Sequence, residues 1–212
     1  MAIERWELEQ RRKGNIAGAE TARVLRDQFG DVPLYPEART EIKRFSPEQR
    51  KALEKEGYLI YGLTGQSIKS LRDSGRKFWS TWHKNYPDFE ALISTQSEVA
   101  INPSRLFLPK SNNRTLAQQE KMVDEFSKEL RKKVPGVEAI IGQAPDYVEL
   151  AFTYLDATGK YLFGAEYNYD YARTKTPTSG SPVAHVGYIN ADSRLDVYHW
   201  HADYGNDNMH AA

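Results

Sequence analysis

The stretch "RLDVYHWHADYGNDNMH", residues 194–210, decides how this chain is read. Leu195 and Val197 alternate with polar residues, as on a strand that buries one face. Almost everything else is Asp, Asn, His or Tyr. Between His185 and His210, 14 of 26 residues belong to that set, and neither lysine nor glutamate occurs beyond Lys175 and Glu166. Surfaces kept soluble by charge use Lys and Glu, so a polar tract free of both needs another cause. Tyrosine offers a large amphipathic area with few rotatable bonds, and asparagine both donates and accepts, which makes them contact residues. Lys and Glu are depleted from interfaces. The tract reads as a binding face. The same four residues are those whose codons carry A in second place and a pyrimidine in third, differing only in the first base. Their enrichment looks like mutation of shared Asn codons at that position.

A second chemistry competes for the same residues. "HWHAD", 199–203, has the H-x-H-x-D spacing of metallo-hydrolases, and on a strand His199 and His201 would share one face, with Asp203 as an oxygen ligand. Tyr204 stands where the metallo-β-lactamase pattern places its next histidine, and only His83 supplies an imidazole upstream of residue 185. The expectation is therefore no metal and no cofactor, with a metal-dependent hydrolase as the alternative.

Working outward, the 212 residues suit one ordinary domain with a small appendage. The 29 basic and 29 acidic residues cancel, so no global field recruits nucleic acid or an anionic membrane. Cysteine is absent, which excludes disulfides, zinc–thiolate sites and thiol nucleophiles. No apolar run reads as a leader or a membrane span. The expected location is cytoplasmic or virion-associated. "GLTGQSIKS" lacks the spacing of a phosphate loop, and no G-x-S-x-G nucleophile elbow occurs.

The N-terminal part reads as helical. Residues 15–29 form one candidate helix. "SPEQRKALEKEG" forms another, with Ser46 as N-cap, Pro47 in the first turn, Gln49 closing a capping box and Gly57 as the stop. "YLIYGL", 58–63, reads as a strand, 64–75 as a short helix, and "KFWSTW", 77–82, as a strand with Phe78, Trp79 and Trp82 in the core. Thr115 and Gln118 box the start of a long helix with Leu116, Val123, Phe126, Leu130 and Val134 on one stripe. Residues 137–141, 147–155 and 160–167 read as strands, with "DATG", 156–159, as a hairpin turn. Tyr167, Tyr169 and Tyr171 alternate as on a strand. "ARTKTPTSGSP", 172–182, reads as a turn-rich loop. Helices first and antiparallel strands later predict an α+β domain. The expected division is a helical segment, 1–57, and a domain, 58–212, with its binding region at about 185–210.

On the quoted residues, the tail resembles the variable region of diversified proteins made by diversity-generating retroelements. The frame "ADSRL-x-V-x-x-W-x-x-D-x-G" is similar to their scaffold, although G-G-S-W, G-F-R and the lectin calcium motifs are absent and no closing apolar strand is apparent before Ala212. The resemblance implies a C-type-lectin-like domain, related to formylglycine-generating enzymes, that binds a ligand and does no chemistry. It implies an error-prone reverse transcriptase that mutates template adenines. Carried over, Leu195, Val197 and Trp200 are scaffold. Tyr188, Asn190, Asp196, Tyr198, His199, His201, Tyr204, Asn206, Asp207, Asn208 and His210 are exposed, variable and ligand-binding. Arg194 and Asp203 are candidates for an orienting ion pair. The implied partner is a protein or other macromolecule of unknown identity. A histidine-rich contact face would make its binding pH-sensitive near about 6.5, the value of a free imidazole.

Overall fold

The computed structural model describes Glu20, Arg23 and residues 43–163, 169–178, 182–189, 192 and 194–212. The chain divides into two units, Met1–Glu41 and Ile42–Ala212. In the first, Glu20 and Arg23 are helical, and the rest of the expected 15–29 helix lies outside the described residues. The second unit begins before the expected boundary and includes helix α1, Pro47–Lys55.

Local capping chemistry starts the early helices as read. In α1 the Ser46 side chain accepts from the Gln49 N–H while Gln49 reciprocates, and Gly57 follows at φ +82°. Leu53 buries against Leu130, Val134 and Val137. Strand β1, Leu59–Gly62, pairs antiparallel with β3, Glu98–Ile101. Helix α2, Ile68–Asp73, is boxed by Ser67 and Ser70. The expected strand at 77–82 is shorter: β2 holds only Lys77–Phe78, and the chain then turns through a 3-10 segment, Trp82–Asn85, into α3, Pro87–Ala91. Trp79 stands 54% exposed rather than in the core. Helix α4, Leu116–Lys133, has the predicted Thr115–Gln118 box. Its buried stripe is Gln119, Val123, Ser127 and Leu130, which leaves Phe126 largely outside.

The predicted strands at 147–155 and 160–167 are overturned. Residues 144–158 form one helix, α5, Ala144–Thr158, and "DATG" is its end, with Gly159 as a left-handed cap at φ +69°. A helix buried on nearly every side shows no polar face, so its apolar run imitates a core strand. Residues 161–163 are not strand, and 164–168 lie outside the described residues. Residues 137–141 are not strand, although Val137 and Ile141 are buried.

The supposed loop at 172–182 is also corrected. It contains β4, Tyr171–Pro177, next to the centre of a five-stranded sheet ordered β2-β6-β5-β4-β7, with β5 at Pro182–Ile189, β6 at Arg194–His201 and β7 at Met209–His210. The β4–β5 and β5–β6 pairs are antiparallel, while β2 and β7 add parallel edges. Ala172, Ala184, Val186, Leu195 and Val197 pack into the main core with Val148, Ala151 and Phe152 of α5. The threonines of β4 are buried too, because each finds a partner. Thr174 donates to the Ala184 carbonyl at 2.8 Å, and the Thr176 hydroxyl accepts from Ala144 N–H and donates to Gln143 Oε1, both at 2.7 Å.

Glu149, 4% exposed on α5, ties the 64–66 loop and Ser94 to the helix. Its carboxylate accepts from Thr64 N–H at 2.8 Å, the Thr64 hydroxyl at 2.6 Å, Gln66 N–H at 3.1 Å and the Ser94 hydroxyl. Glu149→Gln sets an amide N–H₂ against these donors. The expected loss is about 2–3 kcal/mol, measurable by denaturant unfolding. Among the described residues the architecture is α+β, and no helix is long and apolar enough to cross a membrane.

Candidate functional site

Strand β6 sorts the tail by parity. Leu195 and Val197 point inward and are fully buried. His199 follows on that parity at the margin of the core, its ring edge-on to Trp82 at 4.9 Å. Trp82 Nε1 donates to the Val197 carbonyl at 2.7 Å, which fixes that ring from outside the tail. Asp196, Tyr198 and Trp200 share the other face. Trp200, expected as scaffold, is 37% exposed because its parity is that of Tyr198.

The remaining expected contact residues divide into outward and inward sets. Tyr198, His201, Tyr204, Asp207 and Asn208 are exposed, and His199 and Asn206 are half-buried. Tyr188 is half-buried, and its ring stacks on Tyr169 at 4.4 Å. Asn190 lies outside the described residues. Asp196 and His210 depart from the expectation. Asp196, 8% exposed, accepts from the Ser80 hydroxyl at 2.5 Å and the Tyr171 hydroxyl at 3.2 Å. His210 stacks on Phe107 at 4.7 Å and sets Nε2 3.3 Å from Asp170 Oδ1. Both make contacts a free surface residue would not need. Arg194 turns toward Asp192, at 3.9 Å, and over Trp79 rather than forming the expected pair with Asp203.

His185, inside the expected binding region, is buried between Tyr171 and Tyr198, with ring centroids at 4.7 and 6.0 Å. Burial first, then the Arg173 guanidinium and His199, push its imidazole down to about 3. The unfolded ring protonates from about 6.5 downward, whereas the folded ring stays neutral, so acid binds the unfolded state and stability falls with pH across that window. Between pH 7 and pH 5 this residue alone removes about 2 kcal/mol. Denaturant melts at the two values should show that loss, and His185→Gln should lose that part of the slope.

What holds the tail in place is its main chain. Arg173, fully buried on β4, donates through Nη1 to the carbonyls of His201 at 2.9 Å and Ala202 at 3.4 Å. Through Nη2 it donates to the carbonyls of Tyr204 at 2.9 Å and Arg114 at 3.3 Å. The Ala202 and Asn206 carbonyls also accept from Leu116 N–H and Asn113 N–H, both at 2.8 Å. Asn112 Nδ2 reaches the Asp207 carbonyl at 3.2 Å, Tyr171 N–H the Asn208 carbonyl at 2.8 Å, and Gln119 Nε2 the Met209 carbonyl at 3.0 Å. The Ala211 carbonyl is bonded likewise, by Leu108 N–H at 2.8 Å, and Met209–His210, as β7, adds the outer strand beside β4 that was not apparent in the sequence. A Cβ on Gly205 would come within 2.7 Å of the Asn113 main chain, a close approach that glycine permits.

Nearly every donor in this set lies outside the tail, and nearly every acceptor is a backbone carbonyl. The path of 201–209 is therefore held largely through main-chain carbonyls, with two side-chain requirements of its own: Gly205, and Asn206, whose Oδ1 accepts from Asn208 N–H at 2.9 Å. Sequence reading missed Arg173, Gln119 and Asn113, for which no local pattern signals a carbonyl clamp. For the alternative chemistry, no group of three His, Asp or Glu side chains is placed to hold a metal ion among the described residues. His201 sits edge-on to Trp200 at 6.3 Å and to Tyr204 at 5.3 Å, an aromatic and imidazole surface suited to contact. No family model, curated protein or solved structure matches this chain.

Proposed function

We propose that this chain is a ligand-binding protein whose tail is diversified by retroelement-directed adenine mutagenesis on a C-type-lectin-like scaffold. The observation that carries the reading is the carbonyl clamp. Arg173, Asn112, Asn113, Leu116, Gln119 and Tyr171 hold the segment through its carbonyls, and of the tail's own side chains Asn206 adds a bond to the Asn208 N–H. Tyr198, His201, Tyr204, Asp207 and Asn208 all belong to the set reached from an Asn codon by changing its first base, and all are exposed. Leu195 and Val197, outside that set, are the inward scaffold. The meander β4–β5–β6, backed by α5, gives the contact surface a rigid base. The ligand is a protein or another macromolecule, met by tyrosine, imidazole and amide groups.

The test is genomic. A near-copy of the coding sequence of the tail, beside a reverse transcriptase gene and mismatched only where the copy has adenine, is expected. Absence of such a repeat, together with random distribution of the differences between sister genes, would refute the reading.

A further inference from the structure

Trp82, Tyr86, Phe89 and Leu92 wall an open cleft of about 350 Å³, with Pro177 of β4 completing it. That size suits a small ligand or a short piece of chain. The walls are built in advance. Trp82 packs on Phe89 at 5.1 Å and on Tyr86 at 5.6 Å, and its indole N–H is fixed on the Val197 carbonyl. Behind them the buried His83 ring bonds Glu90 Oε1 at 2.7 Å and the Ser80 carbonyl at 2.9 Å, which pins the turn that carries Trp82 and Tyr86. Tyr86 nevertheless stays 42% exposed and Leu92 43%. Apolar side chains gathered at one opening mark a contact site, as singly scattered ones do not.

The cleft is continuous with the proposed contact face. The Trp82 ring meets His199 edge-on at 4.9 Å and Tyr198 at 6.2 Å, so a ligand lying on those two residues reaches it. Its chemistry is narrow. Asp88 is the one charged residue of the lining among the described residues. Its neighbour Glu90 is turned to Arg72 and His83, and Lys84, on the same turn as Trp82, is not part of the lining. Such walls accept a neutral or cationic group and disfavour an anion. Polar contact comes from the Asn85 amide and the Tyr86 hydroxyl, since Thr178 commits both its N–H and its hydroxyl to the Pro182 carbonyl at 3.0 Å. Aromatic faces with side-chain donors among them suit polyproline II, whose carbonyls are free of internal hydrogen bonds and whose stiff chain loses little entropy on docking.

We infer that this cleft seats a proline-rich segment of a protein partner, in polyproline II form, with a basic residue of that segment set against Asp88. The inference deepens the binding reading, on which it rests, by making the partner a protein and by giving it a fixed anchor. Every wall of the cleft comes from 82–92 or 177–178, outside the tail. Exchange at Tyr198 or His199 then changes specificity around an anchor that stays.

The experiment titrates the full chain with acetyl-Pro-Pro-Pro-Pro-Pro-Arg-amide, followed by calorimetry and by the tryptophan indole signals in NMR. Saturable binding that shifts the Trp82 indole is expected, about tenfold tighter than for the peptide with serine in place of each proline. Tyr86→Ala should weaken it about tenfold, and Asp88→Asn should remove the preference for arginine over glutamate at the peptide's end. Both positions are exposed, so the fold should stand in either variant. Absence of saturable binding, equal affinity for the serine peptide, or full affinity in Tyr86→Ala would overturn the proposal. So would a doubled solution mass that Leu92→Ser returns to the monomer, which would put a second copy of the chain in the cleft. Peptide binding without a template repeat beside the gene would leave the cleft standing and the diversified tail refuted, and a repeat without peptide binding would do the reverse.

Discussion

Arg173→Met is expected to destabilise the protein by about 3–5 kcal/mol, the scale on which removal of a buried charge-assisted partner operates. Methionine fills much of the volume but leaves the carbonyls of His201, Ala202, Tyr204 and Arg114 without the donor they share. Leu116 N–H still serves Ala202 and Tyr204 N–H, at 3.4 Å, still reaches His201, while the Tyr204 and Arg114 carbonyls lose the guanidinium. In a unit of this size the melting temperature should fall on the order of 10 °C. Arg173→Lys does not restore it, because one ammonium cannot reach acceptors that a planar fork spans. Binding by the tail should fall with the fold, since the clamp sets the path of 201–204. Thermal unfolding of the two variants checks the first part, and an unchanged melting temperature would remove the clamp from the account.

Gly187→Ala should be comparably damaging, at about 3 kcal/mol or more. The added Cβ would lie 2.7 Å from Tyr171 Cα and would also meet the Asp170 carbonyl, both of them backbone that cannot swing aside. Relief requires β4 and β5 to part where they support Tyr171 and Asp196. Chemical denaturation measures the loss, and the Tyr171–Asp196 contact should break with it. A stability within about 0.5 kcal/mol of the parent would mean that the strands are not so closely apposed.

The legible parts of this fold were those written in short-range chemistry. Helices α1 and α4 follow from Ser46 with Gln49 and Thr115 with Gln118, whose hydrogen bonds close within three residues. Leu195 and Val197 were legible as an inward face because strand parity is local. The same parity would have placed Trp200 outward, had it been applied past Tyr198. Helix α5 was misread because burial on almost all sides erases the polar face that marks a helical period. Its signals were the terminal ones, Pro145 in the first turn and Gly159 as the cap. Strand β4 was misread because its inward residues are threonines, which look like loop until Gln143, Ala144 and Ala184 supply their partners. Of the surface set read from composition, Tyr198, His201, Tyr204, Asp207 and Asn208 are exposed and Tyr188, His199 and Asn206 only half so, while Asp196 and His210 turn to Ser80, Tyr171, Phe107 and Asp170, which become neighbours only through folding. The clamp lay beyond such reading altogether, since any residue type presents the same carbonyl.

Thermal unfolding of one multiple variant bears most directly on the claim that the main chain, and not the side chains, shapes the tail. The variant carries Tyr198→Asn, His201→Asn, Tyr204→Asn, Asp207→Asn and Asn208→Tyr, all exposed positions exchanged within their own set. A cooperative transition within about 5 °C of the parent is expected, as befits surface substitutions. A fall as deep as that of Arg173→Met, or loss of the transition, would show that these side chains hold the tail and would contradict the account.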